Sequence, residues 1–411
     1  MKGRLFTLMI TLLFLGILLT TLFWCMLDTN DGNSHQQHPQ MRGADSCKDC
    51  RASSKKEIKI CWAKEEDKHE TSSDKDSQQQ HPQKKSSPKS SDSCKDCREK
   101  INKLLKNYSL IWKKEEGNYQ QIRSQLNNKC NGFDKAILTQ TNTPVGSKLI
   151  YDGEKKRTHQ VNQETFSTFV KGHPFSNKTL HTCAVVGNGG ILANSSCGKT
   201  IDSAEFVIRC NLPPLSNGYE KHVGIKTHLV TANPSILIDK YGSLMGRRRV
   251  FVENMCHYGD SMLLLPAFSF SMSTAVSLRA FYTLEDFESP IQTVFFNPEY
   301  LQNLSIYWRS QGLKATRLST GMMMISLALE LCTDVHVYGF WPFSLHPFTF
   351  RDLTNHYYND KKSNMAFHSM PSEFSNLLQM HSRGVLKLHL GDCHSDDNQS
   401  HLIKEPSGAS G

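Results

Sequence analysis

The sequence predicts an α/β domain on a mainly parallel sheet, and three observations carry the prediction. Short apolar or β-branched runs recur at residues 183–186, 205–208, 227–233, 249–253, 293–296 and 335–340. Each is bounded by turn or polar residues, as buried strands are. A longer apolar run, 322–331, reads as a buried helix just before the last of them, so strand alternates with helix. The first run ends in Gly187, Asn188, Gly189 and Gly190. A strand that runs into glycines is how such folds bring main chain close to a phosphate. The spacing departs from the dinucleotide fingerprint, because its third glycine would fall at Leu192.

The elements are justified in chain order. Lys2 and Arg4 precede an uncharged run over 5–27, and Asp28 and Asp31 follow it. At 1.5 Å per residue the run spans roughly 34 Å, enough for a bilayer core. The charge asymmetry places the N-terminus in the cytoplasm, so the expectation is a tail over 1–4 and a transmembrane signal anchor over 5–27. A cleaved signal peptide is the rival, but the run ends Phe23-Trp24-Cys25-Met26-Leu27 and lacks the small residues of a cleavage site.

Residues 28–129 are rich in Ser, Gln, Lys and Asp and read as a disordered luminal stem. The stem carries an internal repeat. QQHPQ occurs at 36–40 and 79–83, and DSCKDCR at 45–51 and 92–98. Two copies are too few for a solenoid and read as a duplicated segment. Cys47/Cys50 and Cys94/Cys97 have paired zinc-ribbon spacing, but the gap between pairs is long and the surroundings are polar. They read as stem disulfides or links between chains, which leaves a homodimer open. Asp74-Lys75-Asp76 spells a metal-holding Asp-x-Asp, but no strand precedes it and it receives no role.

Composition bounds the function. Net charge is +9, from 48 basic and 39 acidic residues, with no basic stripe interleaved with aromatics. That disfavours a nucleic-acid partner and fits mild attraction of anionic substrates. The folded domain is expected over 130–411, with Cys130, Cys183, Cys197, Cys210, Cys256, Cys332 and Cys393. An odd count leaves at least one thiol outside intramolecular bridges, and connectivity is not readable from spacing. Cys210 and Cys256 read as small buried hydrophobes. Glycan acceptor triplets begin at Asn107, Asn177, Asn194, Asn303 and Asn398. Asn194 lies just past the glycines, where a glycan would be crowded.

Several residues point to chemistry. Ser319, Thr320 and Gly321 lie where a loop enters the 322–331 helix. Hydroxyls and unpaired N–H groups there suit an anion, although the same residues also serve as an ordinary N-cap. Met322, Met323 and Met324 read as core. Trp341 follows a strand and either stacks on a ligand or closes the core. His346, His356, His368 and His381 cluster late, without zinc-site spacing.

The segment VVGNGGI, followed by Cys-Gly, Ile-Asp and RCNLPP within 181–215, resembles the large sialylmotif of the animal sialyltransferases, in the wording of the α-2,8 group. LSTGMMMISLALELCTDVHVYGFWPF at 318–343, HYYND at 356–360 and HSMPSE at 368–373 resemble the small, third and very small motifs, in the family's order. The likeness spans roughly 130–393.

The resemblance implies a Rossmann-like GT-A-variant glycosyltransferase domain in the Golgi lumen, on a type II membrane anchor. It implies inverting transfer of sialic acid from CMP-sialic acid to the 8-hydroxyl of a sialylated glycan on glycoprotein or glycolipid. No cofactor or metal is implied. His368 would be the catalytic base. Asn188 and Asn211 would hold the donor nucleotide with Trp341 beside it, and Ser319, Thr320, Gly321 and His356 would face the leaving phosphate. Disulfides Cys183–Cys332 and Cys197–Cys393 are implied. One departure stands out: the third motif usually carries a carboxylate where this chain has Asn359, with Asp360 next. The phrases RCNLPPL and YGFWPF, with the spacing from His356 to His368, most resemble the type VI-like oligo- or disialyl branch. Residues 148–181 are only moderately basic, unlike the polysialyl branch. The competing classes are a membrane-anchored, lectin-like sialoside-binding module without turnover, which needs neither His368 nor the 319–321 site, and a metal-using transferase.

Overall fold

Seven parallel strands form the central sheet of a computed structural model that describes residues 92–106, 108, 111–176, 180–360 and 370–393. In chain order the elements are α1 (Asp92–Leu105), α2 (Glu116–Lys129), β1 (Lys148–Ile150), β2 (Thr158–Gln160), α3 (Gln163–Ser167), β3 (Leu180–Val186), α4 (Gly198–Ser203), β4 (Phe206–Arg209) and α5 (Glu220–Val223). There follow β5 (Leu229–Thr231), α6 (Pro234–Asp239), α7 (Arg248–Cys256), β6 (Met262–Leu265), α8 (Ser271–Asp286), β7 (Gln292–Phe295), α9 (Pro298–Ser310), α10 (Thr320–Leu331), β8 (Cys332–Tyr338), α11 (Met370–Ser382) and β9 (Lys387–His389). The sheet order is β7-β6-β5-β4-β3-β8-β9, and β1 and β2 make a separate antiparallel pair. The chain builds outward from β3 to β7, then returns to lay β8 on the other side of β3. The strand order therefore reverses between β3 and β8, the place where open α/β sheets bind ligands at the strands' carboxyl ends.

Side chains of alternate strand residues enter two cores, as period-two geometry requires. Cys183, Val185, Ile208, Val335 and Val337 face one layer, with α2, α9, α10 and α11. Ala184, Val186, Val207, Val230 and Tyr338 face the other, with Phe251, Met255, Val276 and Ala280 from α7 and α8. Residues 321–331 of α10 are all buried, which explains a helix that is apolar on every face.

Two expectations are corrected. Residues 249–253 were expected as a strand but lie in α7, where Phe251, Val252 and Met255 put a helical stripe into the core. Three apolar residues, Val250–Val252, between two charges do not distinguish the two states, and the sheet position is taken by β6 instead. The folded unit also begins before Cys130. Tyr119, Ile122 and Leu126 of α2 are buried, and the Tyr119 hydroxyl donates to the Leu329 carbonyl at 3.0 Å. A polar composition hid one apolar stripe.

Both implied disulfides are present. Cys183–Cys332 ties neighbouring strands β3 and β8, and Cys197–Cys393 ties the loop after the glycines to the segment beyond β9. Cys130 and Cys210 are buried and in neither bridge, and burial pushes both thiols up to about 12, so neither is a ready nucleophile. Cys256 is half-buried. The anchor expected over 5–27, the repeat with Cys47 and Cys50, and Asn107, Asn177 and Asn398 lie outside the described residues. So do the side chains of Cys94 and Cys97, whose main chain lies in α1. Among the described residues no helix is long and apolar enough to cross a membrane. Asn194 is exposed and Asn303 half-buried.

Glu330 is the one ionisable group in the buried run of α10. It accepts from the Tyr300 hydroxyl, and its Oε1 has no partner. Burial pushes its carboxyl up to about 7, against the opposing effects of Tyr300 and Arg123. A folded value above the unfolded one makes the contribution to stability complete below about pH 4.5 and lost as pH rises through about 7. Glu330→Gln cannot ionise, so its melting temperature should exceed that of wild type at pH 8, with the advantage smaller at pH 5.5 and gone below about pH 4.5. An equal difference at both pH values, read by calorimetry, would contradict this.

Candidate active site at the strand crossover

The loops after β3 and β8 lie against each other at the crossover. Gly187 N–H donates to the Tyr338 carbonyl at 2.8 Å, and Gly189 N–H to the Gly339 carbonyl at 3.0 Å. A Cβ on Gly187 or Gly189 would stand 2.8 or 2.6 Å from the Gly339 oxygen. On Gly190 it would stand 2.0 Å from the Thr354 oxygen. These glycines are required by close main-chain approach rather than by positive φ. Phe340 fills the space between Gly187 and Gly321, so a glycine of each of two motifs faces one ring.

Asn188 projects from this turn. Its Nδ2 donates to the Cys210 carbonyl at 2.8 Å, which fixes the orientation of the amide, since that carbonyl only accepts. Its Oδ1 is buried without a partner. A buried acceptor without a donor carries a desolvation cost of about 1–3 kcal/mol and calls for an explanation.

Asn211 follows β4 with a left-handed φ of 65°. Its N–H donates to Thr231 Oγ1 at 2.9 Å, and its Oδ1 accepts from Asn233 N–H at 2.9 Å. Asn233 in turn accepts from the Thr320 hydroxyl at 3.0 Å. One chain of hydrogen bonds thus joins the ends of β4 and β5 to the start of α10. Sequence reading missed Asn233. Its signal was Pro234 at the first position of a helix, with Asn before it.

At the start of α10 the Ser319 side chain accepts from Met322 N–H at 3.1 Å, an ordinary N-cap. Ser319 N–H donates to Glu373 Oε1 at 2.8 Å. Helix geometry leaves the N–H groups of Thr320 and Gly321 without intrahelical acceptors, and the helix dipole adds positive potential there. Glu373 closes the HSMPSE motif, so α11 is bonded to the start of α10. His368 lies outside the described residues.

The third motif docks on the first. Gly190 N–H donates to the Asn355 carbonyl at 3.3 Å, and Tyr357 N–H to the Asn188 carbonyl at 2.9 Å. The Tyr357 hydroxyl donates to the Pro214 carbonyl, and that of Tyr258 to Pro213, which pins the turn after Asn211. His356 is half-buried and stacks on Tyr358 at 5.2 Å. Its Nδ1 pairs with Asn359 Oδ1 at 2.9 Å. The Asp360 carboxylate accepts from Asn355 N–H at 2.9 Å. The residue that departs from the family pattern thus contacts the histidine, and the acidic neighbour holds main chain.

Trp341 is 5% exposed, packs edge-on to Phe343 and Phe374, and donates its indole N–H to the Leu345 carbonyl at 2.8 Å. In this structure it is a core group. His346 and His381 are also structural, each accepting main-chain N–H groups through Nδ1. Among the described residues no three His, Cys, Asp or Glu side chains are grouped for a metal. Asp74 and Asp76 lie outside the described residues.

Against known proteins, the family model described as "Glycosyltransferase family 29 (sialyltransferase)" matches residues 137–385. The human protein named "Alpha-2,8-sialyltransferase 8F" is 44% identical over 287 residues, 69% of this chain and 71% of its own length. Human "Alpha-2,8-sialyltransferase 8E" is 45% identical over 282 residues, 69% and 75% of the two chains. The bovine protein named "Alpha-N-acetylneuraminide alpha-2,8-sialyltransferase" is 42% identical over 288 residues, 70% and 80%. The match takes in every loop of the crossover.

Proposed function

The chain belongs to glycosyltransferase family 29, the sialyltransferases, and on that premise we propose that it transfers sialic acid from CMP-sialic acid to the 8-hydroxyl of a terminal sialic acid, forming an α-2,8 linkage. The acceptor and linkage follow the names of relatives at 42–45% identity. The observation that carries the donor reading is the buried, unpartnered Oδ1 of Asn188 at the strand crossover. A nucleotide brings hydroxyl and amino donors to satisfy it, and a phosphate to meet the Thr320 and Gly321 N–H groups.

In this reading the acceptor hydroxyl attacks the anomeric carbon from the face opposite the phosphate, so configuration inverts through an oxocarbenium-like transition state. His368 takes the hydroxyl proton, work suited to a group that titrates near neutrality. The start of α10, with His356 across the crossover, stabilises the charge that develops on the leaving CMP. The reaction is metal-free, since the chain's Asp-x-Asp lies at 74–76, outside the family match. The 5–27 run anchors the enzyme in the Golgi membrane with its catalytic domain in the lumen.

Labelled CMP-sialic acid incubated with sialylated and asialo acceptors tests this reading. Transfer to sialylated acceptors alone, undiminished by EDTA, is expected. Transfer only to asialo acceptors, or strict dependence on manganese, would overturn it. Asn211→Ala removes the acceptor for Asn233 N–H and loosens the ends of β4 and β5. CMP affinity should fall about tenfold or more, read by calorimetric titration. Unchanged affinity would remove Asn211 from the donor site.

A further inference from the structure

We propose that the cavity between α2 and the end of α10 binds a neutral sugar unit of a glycan, at a site separate from the donor's. The site uses residues that the α-2,8 reading leaves idle. The cavity has a volume of about 330 Å³ and is lined by Gln120, Arg123, Ser124, Asn127, Phe133 and Glu330. The first four occupy positions i, i+3, i+4 and i+7 of α2, so they share one face of that helix. Tyr119, Ile122 and Leu126 put the neighbouring face into the core. Phe133 follows in the turn after α2. Its N–H donates to Asn127 Oδ1 at 3.2 Å, and its ring meets His173 edge-on at 5.2 Å, which fixes its place in the wall. Glu330 comes from the last turn of α10. It lies ten residues beyond Thr320, about 15 Å at 1.5 Å per residue. β8 starts at Cys332, so the cavity lies at the amino ends of the strands, away from the crossover loops.

Glu330 Oε1 is the atom that points to a ligand. The side chain is 4% exposed, Oε2 takes the Tyr300 hydroxyl, and Oε1 is buried without a partner. A desolvated carboxyl oxygen without a hydrogen bond is costly and calls for one. Arg123 brings guanidinium N–H groups to the same cavity. It is near enough to oppose the effect of burial on the Glu330 carboxyl, yet it leaves Oε1 unpartnered. A fitting ligand therefore bonds to a carboxyl and a guanidinium together. An anion is repelled by the first and a cation by the second. Neighbouring hydroxyls of a sugar ring meet both, because each is donor and acceptor. They serve Glu330 in either protonation state, donating to the carboxylate or accepting from the carboxyl. The exposed Gln120, Ser124 and Asn127 side chains add donors and acceptors at the mouth. The Phe133 ring offers an apolar surface to the C–H face of the sugar.

The test is a saturation-transfer NMR titration of the full chain with lactose, with CMP present to fill the donor site. Wild type should bind lactose saturably. Arg123→Ala removes the guanidinium, and Ser124→Trp fills the cavity from an exposed position that the fold does not need. Each should weaken lactose binding about fivefold or more and leave CMP affinity at the wild-type value. Asn128→Ala, exposed on α2 outside the cavity, should bind lactose as wild type does. A wild type without saturable lactose binding, or lactose affinity unchanged in both cavity variants, overturns the site. A parallel loss of CMP affinity in those variants overturns its separation from the donor site.

Discussion

Gly190→Ala should cost about 10²-fold or more in kcat/KM while the protein still folds. The added Cβ would stand 2.0 Å from the Thr354 carbonyl oxygen and 2.9 Å from its carbon, both main-chain atoms that cannot swing aside. The Thr354–His356 segment would be driven off the glycine turn. With it would go the bonds from Gly190 to Asn355 and from Tyr357 to Asn188, and the placement of His356 beside the crossover. Gly117→Ala in α2 is the control, since nothing lies within 4 Å of its Cβ position, and it should be silent. Circular dichroism and melting temperature establish folding for both variants. A Gly190→Ala enzyme within a few-fold of wild type would mean that the third motif does not need to dock for turnover.

His368→Ala should remove about 10²–10⁴ of the transfer rate and leave CMP affinity nearly intact. A base acts on the acceptor hydroxyl, whereas in the proposed reading the nucleotide is held from the crossover by Asn188, Asn211 and the start of α10. Glu373, five positions after His368 in the sequence, is bonded to Ser319 N–H at the start of α10. The rate should also fall on acidification as the imidazole takes up a proton. A structural histidine would give a different result, with lower melting temperature and weaker CMP binding together. The measurement is therefore paired, CMP affinity and transfer rate on the same folded variant. Transfer within a few-fold of wild type would exclude His368 as the base.

Much of the sheet was legible because its strands are short β-branched runs ending in glycine or polar turns. β3, β4, β7 and β8 fall where such runs lie, and α10 was readable as an apolar run too long for a strand. The 249–253 run was misread because Val250-Phe251-Val252 has the composition of a strand. Only the core it meets makes it a helix, with Phe251 and Met255 one turn apart. α8 and α9 carry mixed polar and apolar residues, and their faces are set by packing that a linear pattern does not display.

At the site, Asn188, Asn211 and the 319–321 loop were legible through their motifs, but their partners were not. Asn233 comes from the turn after the next strand, and Glu373 from a helix 54 positions beyond Ser319. Such contacts are made by topology, and sequence spacing holds no trace of them. Trp341 shows the converse. Its place in a motif suggested a ligand, and the structure gives its indole N–H to Leu345 and packs its ring edge-on against Phe343 and Phe374.

The most direct test of α-2,8 transfer is the periodate sensitivity of the acceptor's sialic acid after reaction. A sialic acid substituted at its 8-hydroxyl keeps no adjacent pair of free hydroxyls on its glycerol chain, whereas a free one, or one substituted at the 9-hydroxyl, keeps a cleavable pair. Sialyllactose incubated with the enzyme and CMP-sialic acid, oxidised and analysed by mass spectrometry, should retain an intact inner sialic acid beneath an oxidised outer one. Oxidation of both residues, or new sialic acid found on galactose instead, would contradict the proposed linkage.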